Sequence, residues 1–416
     1  MYVIGEEEIE AVARVINSGD MFRYGEGGQC DLFEKRYAEF IGVEHVALTA
    51  SGTNALTAAV IALGIGPGDE VIVPAHTYMA TALAVLAAGA IPVIVDVDES
   101  ITIDPQAIDA AVGPHTKAVI PVHMWGATCD MDRIMEVATK HGLKVIEDCC
   151  QCVGGSYKGR KVGSFGDINA FSFNFFKNMS CGEGGAIATD DDELHQRAKC
   201  VIDPCHFYWT GREDFKPFAS NGARPNEFQG AILNVQLDRI EGIVESLQAE
   251  KKQVLAGTSH LEELGLRPTP MNSADHECGA YAMYLLPRAE NADAFKEIMS
   301  CVIAGKTGRH NYVEWDQILM RQGAAHPLMN PYEMEANKQC RQEYDKEMCA
   351  SSLEILNRTI MIAMSPKHSQ AQTEQLIRNI DAAARATFGQ LAPEDVQIVD
   401  LDKVDEVQFD MVETSS

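Results

Sequence analysis

"HVALTASGTNALTAAVIALGIGPGDEVIVPAHTYMATALAVLAAGAIPVIVDV", residues 45–97, keeps changing its hydrophobic period. Short runs rich in Val and Ile (HVALTA, DEVIVPA, IPVIVDV) alternate with Ala-rich stretches of helical character (SGTNALTAAVIALG, TYMATALAVLAAG). Unbroken apolar strands are those buried on both faces, and strands joined by helices pair in parallel. The alternation runs on to about residue 190 through KAVIPVHMWG, the helical DMDRIMEVATKHG and LKVIEDCC. It predicts an α/β fold whose mostly parallel sheet is covered on both sides. In such sheets ligands sit at the carboxyl ends of the strands, where loops run into helix N-termini. Residues at those ends are therefore the candidates for function.

Three strand ends stand out. The first strand ends at Thr49 and a helix opens at about Thr53, so the amides of Gly52, Thr53 and Asn54 form either an anion site or an ordinary N-cap. The strand LKVIED delivers Asp148 to its carboxyl edge, where it caps the next segment or holds a proton on a heterocyclic nitrogen. In AFSFNFFKNMSCGEGG, residues 170–185, the alternation of Phe171, Phe173 and Phe175 predicts a half-buried strand with Ser172, Asn174 and Phe176 on its other face. That strand leads to Lys177. An apolar pocket disfavours the ammonium and leaves a neutral, nucleophilic amine, the form that makes Schiff bases. A structural lysine paired with an acid gives the same local signal. Together, Lys177 and Asp148 supply what pyridoxal phosphate requires, an amine for its aldehyde and an acid for its ring nitrogen.

Composition limits the alternatives. A chain of 416 residues, 46% hydrophobic and 23% charged, is globular and long enough for two domains. Its net charge of −27 argues against nucleic acid and anionic membranes as partners. The longest apolar run, Met79 to Val95, is interrupted by Gly89 and Pro92 and is too short to span a bilayer. The start, MYVIGEEEIEAV, has no signal-peptide pattern, so a cytoplasmic protein is expected. Cys149, Cys150 and Cys152 lack the spacing of a zinc site, which leaves them as buried filler and predicts no metal.

The segments SGTNAL, PAHTYMATALAVLAAGAIPVIVDVD, IEDCCQCVGGSYKGRKVGSFGDINAFSFNFFKNMSCGEGGAIATDD and NEFQGAILNVQLDRI resemble, in order, the motifs of the DegT/DnrJ/EryC1/StrS aminotransferases. Those are pyridoxal-phosphate enzymes of the aspartate-aminotransferase-like fold type I, which mostly aminate keto-sugars and related polyols. The likeness spans about residues 5–240. It implies that Lys177 forms the Schiff base and Asp148 pairs with the pyridinium nitrogen. Tyr78 would stack on the ring, Gln151 would lie near the 3-hydroxyl, and Ser172 with Gly52, Thr53 and Asn54 would hold the phosphate. Asn174 and Asn221 complete the implied cofactor contacts. Where the family shows Asn-x-Arg entering the long helix, this chain reads SNGARPNEF, so Asn221 and Asn226 are both candidates to reach a neighbouring subunit's phosphate.

The resemblance implies a homodimer with shared active sites, a glutamate or glutamine donor and a keto-sugar or keto-cyclitol acceptor. Arg212, Lys216, Arg224 and Arg309 are candidates to clamp the donor's carboxylate. The segments DPCHFYWTGREDFKPF and GRHNYVEWDQ either shape the acceptor site or are surface loop. Relatives that deoxygenate sugars replace the lysine with histidine, so Lys177 points to amino transfer. A non-catalytic sensor would need a DNA-binding or partner domain. Three units are expected: a cofactor-binding domain over 1–240, a smaller α+β domain over 241–390, and an acidic extension over 391–416, read as an added strand or a mobile tail. A single long helix is expected from about residue 228.

Overall fold

Val71 and Val73 face one side of the central sheet and Ile72 the other, and all three are fully buried. The computed structural model describes residues 3–23, 27–210 and 216–404. The strands in chain order are β1 (His45–Thr49), β2 (Glu70–Pro74), β3 (Ile91–Val95), β4 (Thr116–Val119), β5 (Lys144–Asp148), the hairpin β6 (Ser156–Tyr157) and β7 (Arg160–Lys161), β8 (Ile168–Ser172) and β9 (Gly185–Thr189). Seven of them form one sheet in the order β1-β9-β8-β5-β4-β2-β3. All run parallel except β9, which pairs antiparallel with both neighbours. This is the mostly parallel α/β architecture expected.

On one face pack the Ala-rich helix Gly52–Ala62 and the helices Ala80–Ala87 and Asp192–Ile202. Their small side chains let the helices lie close on the sheet. The other face is covered by Gln29–Ile41 and Glu227–Leu237 beneath β1, β8 and β9, and by Pro105–Ala111 and Met131–His141 beneath β2 to β5. Phe171 and Phe173 account for the aromatic pattern. They meet Tyr37 edge-on at 5.2 and 5.5 Å, and Phe173 also meets Phe33 at 5.6 Å. Such pairs contribute about 0.5–1.5 kcal/mol each beyond area burial, so they anchor the end of β8 from behind the site.

Two expectations are corrected. The strand does not reach Lys177: β8 stops at Ser172, and Phe175 and Phe176 are 63% and 62% exposed. Asn174 breaks it by accepting from the Phe176 amide through Oδ1 at 3.1 Å and from the Lys177 amide through its carbonyl at 3.1 Å, a turn that asparagine favours. The long helix is likewise two helices, Glu227–Leu237 and Ile240–Thr258, broken at Asp238 and Arg239, where Arg239 is tied to Glu7 and Glu8 of the first helix.

A second, four-stranded sheet is formed by β10 (Arg267–Pro268), β11 (Tyr281–Leu285), β12 (Val302–Ile303) and β13 (Thr359–Ala363), in the order β10-β11-β13-β12. Helices Ile240–Thr258, Ala289–Ile298 and Gln370–Thr387 cover it. Between β12 and β13 the chain returns to the large sheet and buries Tyr312, Trp315 and Ile318 in its core. That return carries residues 308–310 to the functional site. Residues 391–404 are neither an added strand nor loose: Asn379 and Gln372 donate to the carbonyls of Val399 and Leu401 at 2.8 and 2.9 Å. The rest of the acidic extension lies outside the described residues. Among the described residues, no helix is long and apolar enough to cross a membrane.

Candidate active site

At the carboxyl ends of β1, β5 and β8 lies a cavity of about 610 Å³. Gly52, Thr53, Tyr78, Asp148, Gln151, Ser172, Asn174 and Lys177, eight of the residues expected from the sequence, line it. Register explains part of the convergence. Thr49 and Ser172 both pair with Gly185, and Asp148 pairs with Ala170 on the next strand, so these strand ends form one edge.

Ser51 caps the helix Gly52–Ala62, its Oγ accepting from the Asn54 amide at 3.2 Å. Its hydroxyl also lies 2.8 Å from Asn54 Oδ1, so Asn54 is turned back on the cap and does not line the cavity. The Gly52 and Thr53 amides find no acceptor among the described residues. The N-cap is thus formed, and it leaves two amides at the positive end of the helix dipole, a geometry compatible with an anion site. The backbone there is packed too tightly for side chains. A Cβ on Gly52 would stand 2.7 Å from Ser172 Cβ, and one on Gly185 2.4 Å from the Ser51 carbonyl carbon. This glycine-lined cradle beside a serine hydroxyl fits a phosphate.

Asp148, 3% exposed, accepts from Thr81 Oγ1 at 2.9 Å and from the Cys150 amide at 3.1 Å. Lys177 is half-buried; burial lowers its pKa, Asp148 opposes the shift and Arg309 adds to it. An amine held toward its neutral form, a fixed carboxylate and an anion cradle in one cavity fit pyridoxal phosphate. Tyr78 is 39% exposed into this space.

The remaining candidates are placed as follows. Asn221 is exposed and does not line the cavity of this chain. Asn226 caps Glu227–Leu237 reciprocally with Gln229. Arg224 pairs with Asp203 at 3.1 Å, Lys216 does not line the cavity, and Arg212 lies outside the described residues. Arg309 does line it, as does His310, both from the GRHNYVEWDQ segment, while residues 211–215 of the other suspect segment lie outside the described residues. Trp125 and Tyr281 form a wall that the sequence did not reveal, Trp125 held in a left-handed conformation (φ 49°) and 5.3 Å from the His310 ring. Burial pushes the His310 pKa down to about 4.

Behind β5, His123, Glu147 and Cys149 lie within 4.8 Å of one another. Glu147 already accepts from His123 and from the amides of Gly163, Phe165 and Gly166 at 2.6–3.1 Å, so this cluster pins a loop to the strand.

The sequence model of the DegT/DnrJ/EryC1/StrS aminotransferase family matches residues 3–381. The chain belongs to this family. It is an aminotransferase, and pyridoxal phosphate is its cofactor. Among its relatives, a GDP-perosamine synthase of Caulobacter vibrioides is 40% identical over 64% of this chain and 70% of its own. A dTDP-3-amino-3,4,6-trideoxy-alpha-D-glucose transaminase of Streptomyces venezuelae is 39% identical over 62% and 67%. The aminotransferase structure from Psychrobacter cryohalolentis superposes with a TM-score of 0.75 at 27% identity, covering 91% of this chain and 96% of that one.

Proposed function

We propose that this aminotransferase moves the amino group of glutamate or glutamine to the carbonyl of a keto-sugar or keto-cyclitol. The observation that carries the reading is the convergence of Lys177, Asp148 and the Gly52–Thr53 amides in one cavity. Two relatives named for nucleotide-linked amino sugars support the sugar acceptor.

When bound, pyridoxal phosphate supplies an aldehyde that captures the amine and a ring that takes up electrons. Lys177 would hold that aldehyde and serve as the base for the proton of the donor's α-carbon. Asp148 would keep the ring nitrogen protonated, and Tyr78 would cover the ring. Gln151 orients the 3-hydroxyl side, Asn174 shapes the turn that presents Lys177, and Gly52, Thr53 and Ser172 bind the phosphate. The retained lysine disfavours deoxygenation.

The enzyme works as a homodimer with shared sites. Both asparagines are exposed, but Asn226 is engaged in its helix cap, which favours Asn221 as the residue that reaches the partner's phosphate. The exposed Phe175 and Phe176 beside Lys177 support burial of this rim by a second subunit. The described residues include twelve free cysteines, in accord with a reducing cytoplasm. We assign 1–240 to the cofactor-binding domain, 241–390 to the smaller one and 391–416 to the extension.

Borohydride reduction of the purified enzyme followed by peptide mapping should place the cofactor on Lys177. Incubation with L-glutamate or L-glutamine and a panel of nucleotide-linked keto-sugars and inososes should yield an amino product and the matching 2-oxo acid. Cofactor mapped to another lysine, or turnover with none of the acceptors, refutes the reading.

A further inference from the structure

Cys152 lies in the turn after β5, directly past Gln151, and Cys278 lies in the segment that leads into β11 of the second sheet. Both are fully buried in one apolar cluster, and their thiols are hydrogen-bonded to each other. Two glycines leave room for them. A Cβ on Gly155 would stand 2.5 Å from Cys152 Sγ and 3.2 Å from Cys278 Cβ, and one on Gly126 2.7 Å from Cys278 Sγ. The Gly126 carbonyl holds the pair together, accepting from the Cys278 amide at 3.1 Å and lying 3.5 Å from Cys152 Sγ.

The surroundings make the two thiols unequal. The hydrogen bond from Cys152 holds the Cys278 thiol below its ordinary range against its burial, helped by the Ala280 backbone, by Asn178 and by Lys251, while Cys152 is held well above that range. Asn178 Nδ2 lies 3.5 Å from Cys278 Sγ, and Lys251 is paired with Glu277 at 2.8 Å. A sulfur inclined to ionise beside a second thiol that can resolve it is the arrangement of a thiol switch. The pair also adjoins the site. Asn178 follows Lys177 in the chain and donates to the Val153 carbonyl at 3.3 Å, and Asn178, Val153 and Ala280 line the cavity, so they stand between it and the thiols.

We propose that Cys152 and Cys278 form a reversible disulfide under peroxide, tying the second sheet to the loop after β5 and switching the transaminase off. The Cys278 thiolate attacks hydrogen peroxide and breaks its oxygen–oxygen bond, leaving a sulfenic acid and a hydroxide that takes up a proton to become water. The Cys152 sulfur then displaces the hydroxyl from that sulfur, and its proton leaves with it as a second water. Two thiols lose two electrons and one peroxide is reduced. A dithiol reverses the bond by exchange. Closure to a sulfur–sulfur distance of about 2.0 Å draws Cys278 from Asn178 and so disturbs Lys177 beside it and Tyr281 further along. Disulfides of this transient kind are those found in reducing compartments.

The test exposes the cofactor-loaded enzyme, reduced and then desalted, to hydrogen peroxide, blocks the remaining thiols with iodoacetamide and maps the unreduced digest by mass spectrometry. A peptide pair joined through Cys152 and Cys278 should appear while the rate at which L-glutamate or L-glutamine bleaches the cofactor falls roughly tenfold or more, the cost of a small misplacement at the reacting groups. Dithiothreitol should reverse both changes. Cys278→Ala should keep its rate under the same treatment. Cys152→Ala, which lacks the resolving thiol, should lose its rate without rescue by dithiothreitol as Cys278 passes to the sulfinic acid. The mapping of the wild type stands even where a variant fails to fold. Absence of the joined pair, inactivation of Cys278→Ala like that of wild type, or a joined pair at full rate overturns the proposal. If neither amino acid bleaches the reduced enzyme, the donor reading falls and the switch is judged with L-alanine or L-aspartate.

Discussion

Thr81 donates its hydroxyl to Asp148 Oδ2 at 2.9 Å, and Thr77 Oγ1 lies 2.8 Å behind Thr81 Oγ1. Both threonines are fully buried, so no water takes their place. The carboxylate proposed to face the cofactor nitrogen is therefore oriented by a hydroxyl pair on the loop and helix that follow β2. Thr81→Val keeps the shape and removes the donor. It should retain cofactor but turn over about tenfold more slowly or worse, the effect of losing one hydrogen bond to a charged group. Thr81→Ser should stay near wild type. Equal rates for the Val and Ser variants would show that the contact does not position Asp148.

The cradle makes a second, graded prediction. A methyl on Gly52 meets Ser172 Cβ at 2.7 Å and Cys150 Sγ at 3.0 Å, whereas one on Gly185 meets Ser51 and Gly52 backbone atoms at 2.4–2.7 Å. Side chains can yield and backbone cannot, so Gly185→Ala should purify with little cofactor while Gly52→Ala binds it more weakly than wild type. Equilibrium dialysis with pyridoxal phosphate gives the order; wild-type loading of Gly185→Ala would contradict the packing argument.

What the sequence disclosed follows its local signals. Apolar runs gave the strands, and because a parallel strand ends where its apolar run ends, Asp148 and the SGTN turn could be placed at the carboxyl edge. Lys177 was found for a partly different reason: its approach reads as a continued strand, but Asn174 turns the chain and leaves Phe175 and Phe176 outside. Arg309 and His310 stood among several candidates that the sequence alone could not rank, and Trp125 gave no signal. The first two reach the site only because Thr77 and Met79 pair with a segment more than two hundred residues away. Trp125 enters through a left-handed backbone conformation that no periodicity signals.

Acid should destabilise the fold through its buried imidazoles. Burial holds His310 at about 4, with Arg309 and Lys177 adding to the shift, and holds His76 at about 3. In the unfolded chain both titrate near 6.5. Between these values the unfolded state binds more protons. The stabilisation is therefore complete above about pH 6.5 and is lost as pH falls toward 4. Unfolding midpoints in urea for wild type and His310→Gln should separate between pH 7 and 5, the variant losing roughly 1–2 kcal/mol less over that span. Parallel pH profiles would mean that His310 is not held neutral.

Shared active sites make the last prediction. Asn221 is exposed on a segment tied to the end of β1, where the Ala50 amide and Thr49 Oγ1 both donate to the Ala223 carbonyl at 2.8 and 3.0 Å. The segment thus starts beside its own phosphate cradle but does not direct Asn221 into it. If Asn221 serves the partner's cradle, Lys177→Ala and Asn221→Ala damage different halves of a composite site. Each variant alone should be nearly inactive, the second through weak cofactor binding. Mixed under conditions that exchange subunits, they form mixed dimers in which one site carries both lesions and the other neither. Random pairing makes half the dimers mixed, so activity should recover to at most about one quarter of wild type. A control with Asn226→Ala in place of Asn221→Ala should show no such rescue, because that change costs its own subunit a helix cap of about 1 kcal/mol and leaves the partner's phosphate untouched. Exchange demonstrated by mass spectrometry without recovered activity would place Asn221 outside the partner's site.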